Sequence, residues 1–173
     1  EPAKNDDEPV PAPSADFCNE QNVVGKVVHL IQNEDTDTLL RIFVIARKNF
    51  SQGGAARFRF TMPSLVYRAL DLTRRVYKRE RAAEAEQDSA PQFSSRKVLQ
   101  FVIEILTAMS PSQPELTLKL FLQAAQAADE CAYHAIAYEF IKEAILIYET
   151  EITDSKVQVQ DRKSTRLNSS HQI

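Results

Sequence analysis

Between Ile136 and Lys156 the apolar residues Ile136, Ala137, Phe140, Ile141, Ala144, Ile147 and Tyr148 return every three or four positions. A helix of 3.6 residues per turn is the conformation that brings such a set to one face. Glu139, Lys142 and Glu143 fall on the opposite side, so the helix has one face to bury and one to leave in water. No heptad is sustained, which argues against a coiled coil. The apolar face therefore needs a layer of other helices to pack on.

The same period recurs upstream. Val23, Val24, Val27, Leu30 and Ile31 form a stripe in a helix that starts near Phe17, with Asp16 as its N-cap. Asp35 or Asp37 caps a second helix carrying Leu39, Leu40, Phe43 and Ala46, which closes on Arg47 and Lys48 before the turn at Gly53 and Gly54. These two read as an antiparallel pair. Arg57 to Thr61 alternates basic and aromatic residues as a strand would, but no second strand exists to pair with it, so it reads as an extended connector. Thr61 as N-cap and Pro63 in the first turn then open a third helix, running to about Ala85 with Leu65, Val66, Ala69, Leu70, Thr73, Val76 and Tyr77 facing in. After a break from Gln87 to Pro91, Ser94 or Ser95 caps a fourth helix with the stripe Val98, Leu99, Val102, Ile103, Leu106 and Met109. Pro111 and Pro114 bracket the next turn, and a fifth helix carries Leu116, Leu120, Phe121, Ala124 and Ala128.

Six helices and no paired strand make the fold class all-α, and a composition with only 3 Gly and 43% hydrophobic residues in 173 agrees. Hairpins beginning near Phe17, Thr61 and Ser112 are spaced on the order of the ~40–47 residues of HEAT-type units. The expected architecture is a HEAT-like α-solenoid of about three antiparallel hairpins, with a free-standing six-helix bundle as its rival. A piece of a longer solenoid exposes apolar surface on its outermost helices. Residues 1–16 contain Pro2, Pro9, Pro11 and Pro13 around Asp6, Asp7 and Glu8, and are expected to be a flexible, disordered acidic linker. Residues 17–160 are the helical repeats. Residues 161–173 lose the helical pattern abruptly and read as a translated sequencing adapter, a non-biological tail. With Glu1 in place of an initiating methionine, the chain reads as an internal fragment.

Chemistry is sparse. No apolar run approaches the ~18 residues of a membrane span, and no basic-then-apolar export signal opens the chain. Cys18 and Cys131 are too few for a disulfide framework, which fits a reducing compartment. His29 and His134 have no ligand or triad partners at a useful spacing, so neither a metal nor a cofactor is expected. Cys131 lies in an apolar helical setting, as a small core residue does. The basic cluster Arg74, Arg75, Lys78, Arg79 and Arg81 is the best reason to consider nucleic acid or anionic lipid. Glu80 and Glu84 interrupt it, however, and cations near a helix C-terminus complement the helix dipole. No nucleic-acid role and no enzyme activity are expected.

Several short runs resemble one family. They are Glu20-Gln21 with His29-Leu30; Ala46-Arg47-Lys48 with Gly53-Gly54; Arg57, Arg59-Phe60-Thr61, Pro63 and Leu65-Val66; Leu118, Leu120 to Gln123 and Ala127-Ala128. The last helix adds Tyr138, Glu139, Phe140, Ala144, Tyr148-Glu149, Glu151-Ile152 and Asp154-Ser155-Lys156. In this order they are similar to the C-terminal half of the largest subunit of retromer, the vacuolar protein sorting α-solenoid of a eukaryotic endosomal coat. Ser64 stands where that family commonly has a second proline, and Thr153 where it usually has serine. The resemblance implies a non-enzymatic scaffold that binds the small metallophosphoesterase-like retromer subunit and, through the larger assembly, serves membrane cargo moving from endosome to Golgi. It implies a cytoplasmic protein held peripherally at the endosomal membrane. Another helical-repeat adaptor is the alternative. Thr61, Pro63, Tyr138, Glu139, Phe140, Asp154, Ser155 and Lys156 are the family-signature positions expected to act structurally. Phe58, Arg59, Phe60, Tyr67 and Arg68 are the candidate partner contacts, since aromatic and Arg anchors dominate interfaces.

Overall fold

Three of the helices begin where the sequence offers a side-chain oxygen to an otherwise orphaned N–H. The computed structural model describes residues 14–86 and 91–153. Its elements are α1 (Ala15–Leu30), α2 (Thr36–Ser51), α3 (Ala55–Glu86), α4 (Ser95–Met109), α5 (Pro114–Glu130) and α6 (His134–Ile147), followed by a π-helical turn, Tyr148–Thr153. No strand occurs among the described residues. Ser14 caps α1, accepting from the Phe17 N–H at 3.2 Å, so the cap lies two residues before the expected Asp16. Asp35 caps α2 by accepting from the N–H groups of Asp37 and Thr38, and Ser94 caps α4 by accepting from Lys97. Pro114 takes the first turn of α5, where its missing N–H costs nothing. Of the expected linker, residues 1–16, residues 1–13 lie outside the described residues, while Ser14 caps α1 and Ala15 and Asp16 are already helical, so the helix starts before the assigned boundary. Residues 161–173, assigned to the tail, also lie outside the described residues.

The connector expected at Arg57 to Thr61 is helical. α3 begins at Ala55, straight after Gly54 turns the chain with a φ of 77°, and runs for 32 residues with Pro63 inside it. Thr61 is therefore not an N-cap. It is buried, and its hydroxyl donates back to the Arg57 carbonyl at 3.2 Å. The alternation that looked like a strand instead spreads its side chains around a helix: Phe58 and Phe60 are half-buried, Arg57 and Arg59 exposed. Pro63 is tolerated in mid-helix because packing on both flanks holds α3 together. Leu65, Val66, Ala69, Leu70, Leu72 and Val76 are all buried.

α3 is the central element, packed against α1, α2, α4 and α5, while α5 packs mainly on α6. The consecutive helices α3 and α4, and α5 and α6, are thus in contact as expected. The first pair differs: α1 and α2 each take α3, and not each other, as their main partner. The reason lies in the face α1 buries. Gln21, Gly25 and Val28 turn inward, whereas Val23, Val27 and Leu30 of the expected stripe are 57%, 53% and 75% exposed. At Gly25 the helices come so close that a Cβ would lie 2.6 Å from the Phe60 carbonyl oxygen. A small residue sets this interface, and the run of valines does not.

The remaining core follows the predicted stripes. Leu39, Leu40 and Phe43 of α2, Val98, Leu99, Val102, Leu106 and Met109 of α4, and Leu120, Phe121, Ala124 and Ala128 of α5 are buried in one cluster. α6 contributes Ala137, Phe140, Ala144 and Ile147, with the Phe140 ring 6.0 Å from that of Phe121. Continued at 3.6 residues per turn, that series would next bury position 151, which is Glu. The π turn inserts one residue of register, so Ile152 enters the core and Glu151 stays out. Tyr148, expected inward, is 54% exposed as a result.

Candidate interaction surface

An interaction surface is defined by which side chains the fold leaves unused. The arginines of α3 are largely spent inside the molecule. Arg68 donates to the Ile31 carbonyl at 2.8 Å, and Arg75 to the carbonyls of Asn33 and Glu34 at 2.9 and 3.2 Å. Arg79 bonds the Thr36 hydroxyl and lies 3.9 Å from Asp35. Arg74 donates to Glu130 of α5 at 2.6 Å, and Arg81 pairs with Glu84. The cluster that suggested a phosphate-binding patch is therefore mostly a set of ties between α3 and its neighbours. The Glu130 carboxyl is held below its ordinary pKa chiefly by the hydrogen bond from Arg74.

The five candidate contacts are on α3 but do not form one patch. Arg68 is half-buried against the end of α1, and its buried Nε has no hydrogen-bond partner. Phe60 meets Phe17 edge to face at 6.4 Å, and the Arg59 guanidinium stacks 4.5 Å from the Phe60 ring while its Nη2 lies 3.5 Å from Cys18 Sγ. Phe58 packs against the core cluster. Tyr67, at 44% exposure, and Arg59 are the members that stay exposed. Among the signature positions, Phe140 is fully buried, Tyr138 is 65% exposed, and Glu139 is exposed in an ion pair with Lys142. Asp154, Ser155 and Lys156 lie outside the described residues.

The seams between α2, α4 and α6 differ. That between α2 and α4 is closed: Asp37 accepts from the N–H groups of Gln92 and Phe93, Arg41 lies over the Phe93 ring, and Arg47 pairs with Glu104 while lying over Phe101. The Arg47 hydrogen bond also lowers the Glu104 pKa. Between α4 and α6 runs a cleft of about 290 Å³, floored by Leu99, Ile103, Ile136 and Phe140 with Arg96, Gln100 and Glu139 on its rim. Sequence reasoning missed this cleft, because a gap between helices remote in sequence leaves no local pattern. A second cleft, of about 520 Å³, is lined by Tyr77, Glu80, Cys131 and Tyr133. Its walls are tied together by Ser95, whose N–H donates to Glu80 at 3.0 Å and whose hydroxyl lies 2.8 Å from that of Tyr133. Burial raises the pKa of the Cys131 thiol, keeping it protonated and unreactive.

No group of three or more His, Cys, Asp and Glu side chains able to hold a metal occurs among the described residues. His134 is exposed, with Nδ1 2.8 Å from the Asp129 carboxylate, and His29 is exposed on α1. No described helix is long and apolar enough to cross a membrane.

Comparison with known proteins places this arrangement. The family model described as vacuolar protein sorting-associated protein 35 matches residues 2–163. Vacuolar protein sorting-associated protein 35B of Arabidopsis thaliana is 40% identical over 144 residues, covering 83% of this chain and 18% of the relative. The Dictyostelium discoideum protein 35 is 33% identical over 81% of this chain and 18% of its own length, and that of Schizosaccharomyces pombe 29% identical over 84% and 17%. The chain spans under a fifth of the length of these relatives. With the match running through all six helices, the chain belongs to the vacuolar protein sorting-associated protein 35 family.

Proposed function

We propose that the chain is a stretch of the α-solenoid scaffold of the retromer coat. On this reading it binds the small metallophosphoesterase-like subunit and so contributes to endosome-to-Golgi transport of membrane cargo from the cytoplasmic face of the endosome. The observation that carries the reading is the family match across residues 2–163. Two features of the fold support it. The helices α1, α2, α4 and α5 pack around a central helix, α3, as consecutive members of a helical stack do. The two outermost helices also keep apolar stripes in water: Val23, Val27 and Leu30 on α1, and Ile141 and Ile145 on α6, continued by Tyr148 of the π turn. Such stripes are the seams on which further repeats of a longer solenoid stack. Tyr67 and Arg59 are the partner contacts we retain, being exposed, whereas Phe60 and Arg68 hold α1 in place.

Size-exclusion chromatography of the chain with the small subunit, followed by light scattering, tests this. A one-to-one complex is expected, weakened by Tyr67→Ala without loss of thermal stability. Separate elution of two folded, monomeric proteins would refute partner binding by this stretch.

A further inference from the structure

The way α1 is attached to the rest of the molecule goes beyond its membership of a helical stack and does not depend on the identity of any partner. α1 buries only Gln21, Gly25 and Val28, whereas α4 buries eight residues, among them Val98, Leu99, Phe101 and Met109. Its partner is α3, and it gains little from α2, the element next to it in the chain. The apolar seat of α1 is correspondingly poor, built on a close approach at Gly25 with the Phe17 and Phe60 rings at one end.

At the other end three arginines of α3 grip the connection that leaves α1. Arg68 and Arg75 stand seven residues apart and Arg79 four further, so all three share one side of α3. They take the Ile31 carbonyl, the Asn33 and Glu34 carbonyls, and the Thr36 hydroxyl in turn. The first of these carbonyls belongs to the C-cap of α1, where a cation also meets the negative end of the helix dipole. Arg68 keeps this place although its Nε is buried without a partner. A guanidinium would not be held so if the connection merely drifted over the surface.

We propose that Arg68, Arg75 and Arg79 form a latch that fixes α1 to the molecule, so that breaking it lets α1 swing as a unit about residues 31–35 while α4, α5 and α6 stay folded. In a helical stack such a latch sets the angle at which the first helix, with its exposed valines, meets whatever packs on it. Cooperative units of this kind open at lower free energy than the global core.

Hydrogen exchange read by mass spectrometry on the full 173-residue chain tests the latch. In Arg75→Gln, amides of α1 are expected to exchange about tenfold faster than in the parent, with those of α4 to α6 unchanged. Arg68→Gln combined with Arg75→Gln is expected to increase the effect. Arg81→Gln, which breaks an exposed pair with Glu84 on the same helix, is expected to leave α1 unaltered. Unchanged exchange in α1 of Arg75→Gln would overturn the proposal. So would equal acceleration in α1 and in α4 to α6, or unfolding of the whole chain, since either would make these arginines part of the common core.

Discussion

Gly25 and Ala132 show how far a single residue can be at odds with its local preference. In an unhindered helix Ala is favoured over Gly by about 1 kcal/mol. At position 25 the added Cβ would meet the Phe60 carbonyl oxygen at 2.6 Å, and backbone cannot move aside as a flexible side chain does. Gly25→Ala is therefore expected to destabilise the chain by roughly 1 kcal/mol net, the overpacking cost of ~1–3 kcal/mol exceeding the propensity gain. A thermal melt reads this, and an isolated α1 peptide should show the reverse, a rise in helicity. Ala132 is the opposite case. It closes α5 with a φ of 59°, the Tyr133 N–H reaching the Ala128 carbonyl at 2.9 Å as in a Schellman cap. Glycine is the usual residue there, and Ala132→Gly is expected to stabilise by roughly 0.5–1 kcal/mol, seen as a rise in Tm.

At the scale of the elements, carboxylates do much of the tying. Asp35 caps α2, Glu104 joins α4 to α2 and Glu130 joins α5 to α3. All three pKa values are lowered: Asp35 first by the Thr38 hydroxyl, Glu104 by Arg47 and Glu130 by Arg74. A carboxyl whose folded pKa is depressed contributes stability that is fully present above its unfolded pKa, about 4, and is lost as pH falls through the folded value. Melting temperature should therefore hold between pH 7 and about pH 5 and fall below about pH 4. In Glu104→Gln and Glu130→Gln together, the acid fall should be shallower, because two of the titrating contributions are gone. A fall of equal steepness would place the acid sensitivity elsewhere.

Across the whole molecule, two surfaces contrast. Most arginines of α3 are spent on intramolecular ties, so a gel-shift assay with nucleic acid is expected to show no retardation at physiological salt. The apolar stripes of α1 and α6 remain in water, and stripes of this kind favour association. Light scattering on the isolated chain should show mass rising with concentration. Replacing Val23, Val27 and Leu30 by Ser should reduce that rise without lowering Tm, because none of the three belongs to the core.

What the sequence determined by itself was the all-helical class, the caps of α2 and α4, and the inward faces of α2, α4, α5 and most of α6. Each is a local property: a 3.6-residue period, an Asp or Ser before it, a Pro or Gly after it. The family was legible too: the resemblance read from short runs of residues agrees with the family match over residues 2–163. What only the tertiary structure decided was where competing local signals stood. Thr61-Met62-Pro63 resembles a helix start, yet α1 and α2 pack on α3 and carry the helix through it. The valines of α1 outscore Gly25 in hydrophobicity, yet the close approach to the Phe60 carbonyl turns Gly25 inward and the valines out. The arginines of α3 look like a free basic patch until the carbonyls of the 31–34 connection, some forty residues away in sequence, arrive to take them. Burial and hydrogen-bond partners are settled by what folds against a residue, and a linear pattern holds no record of that.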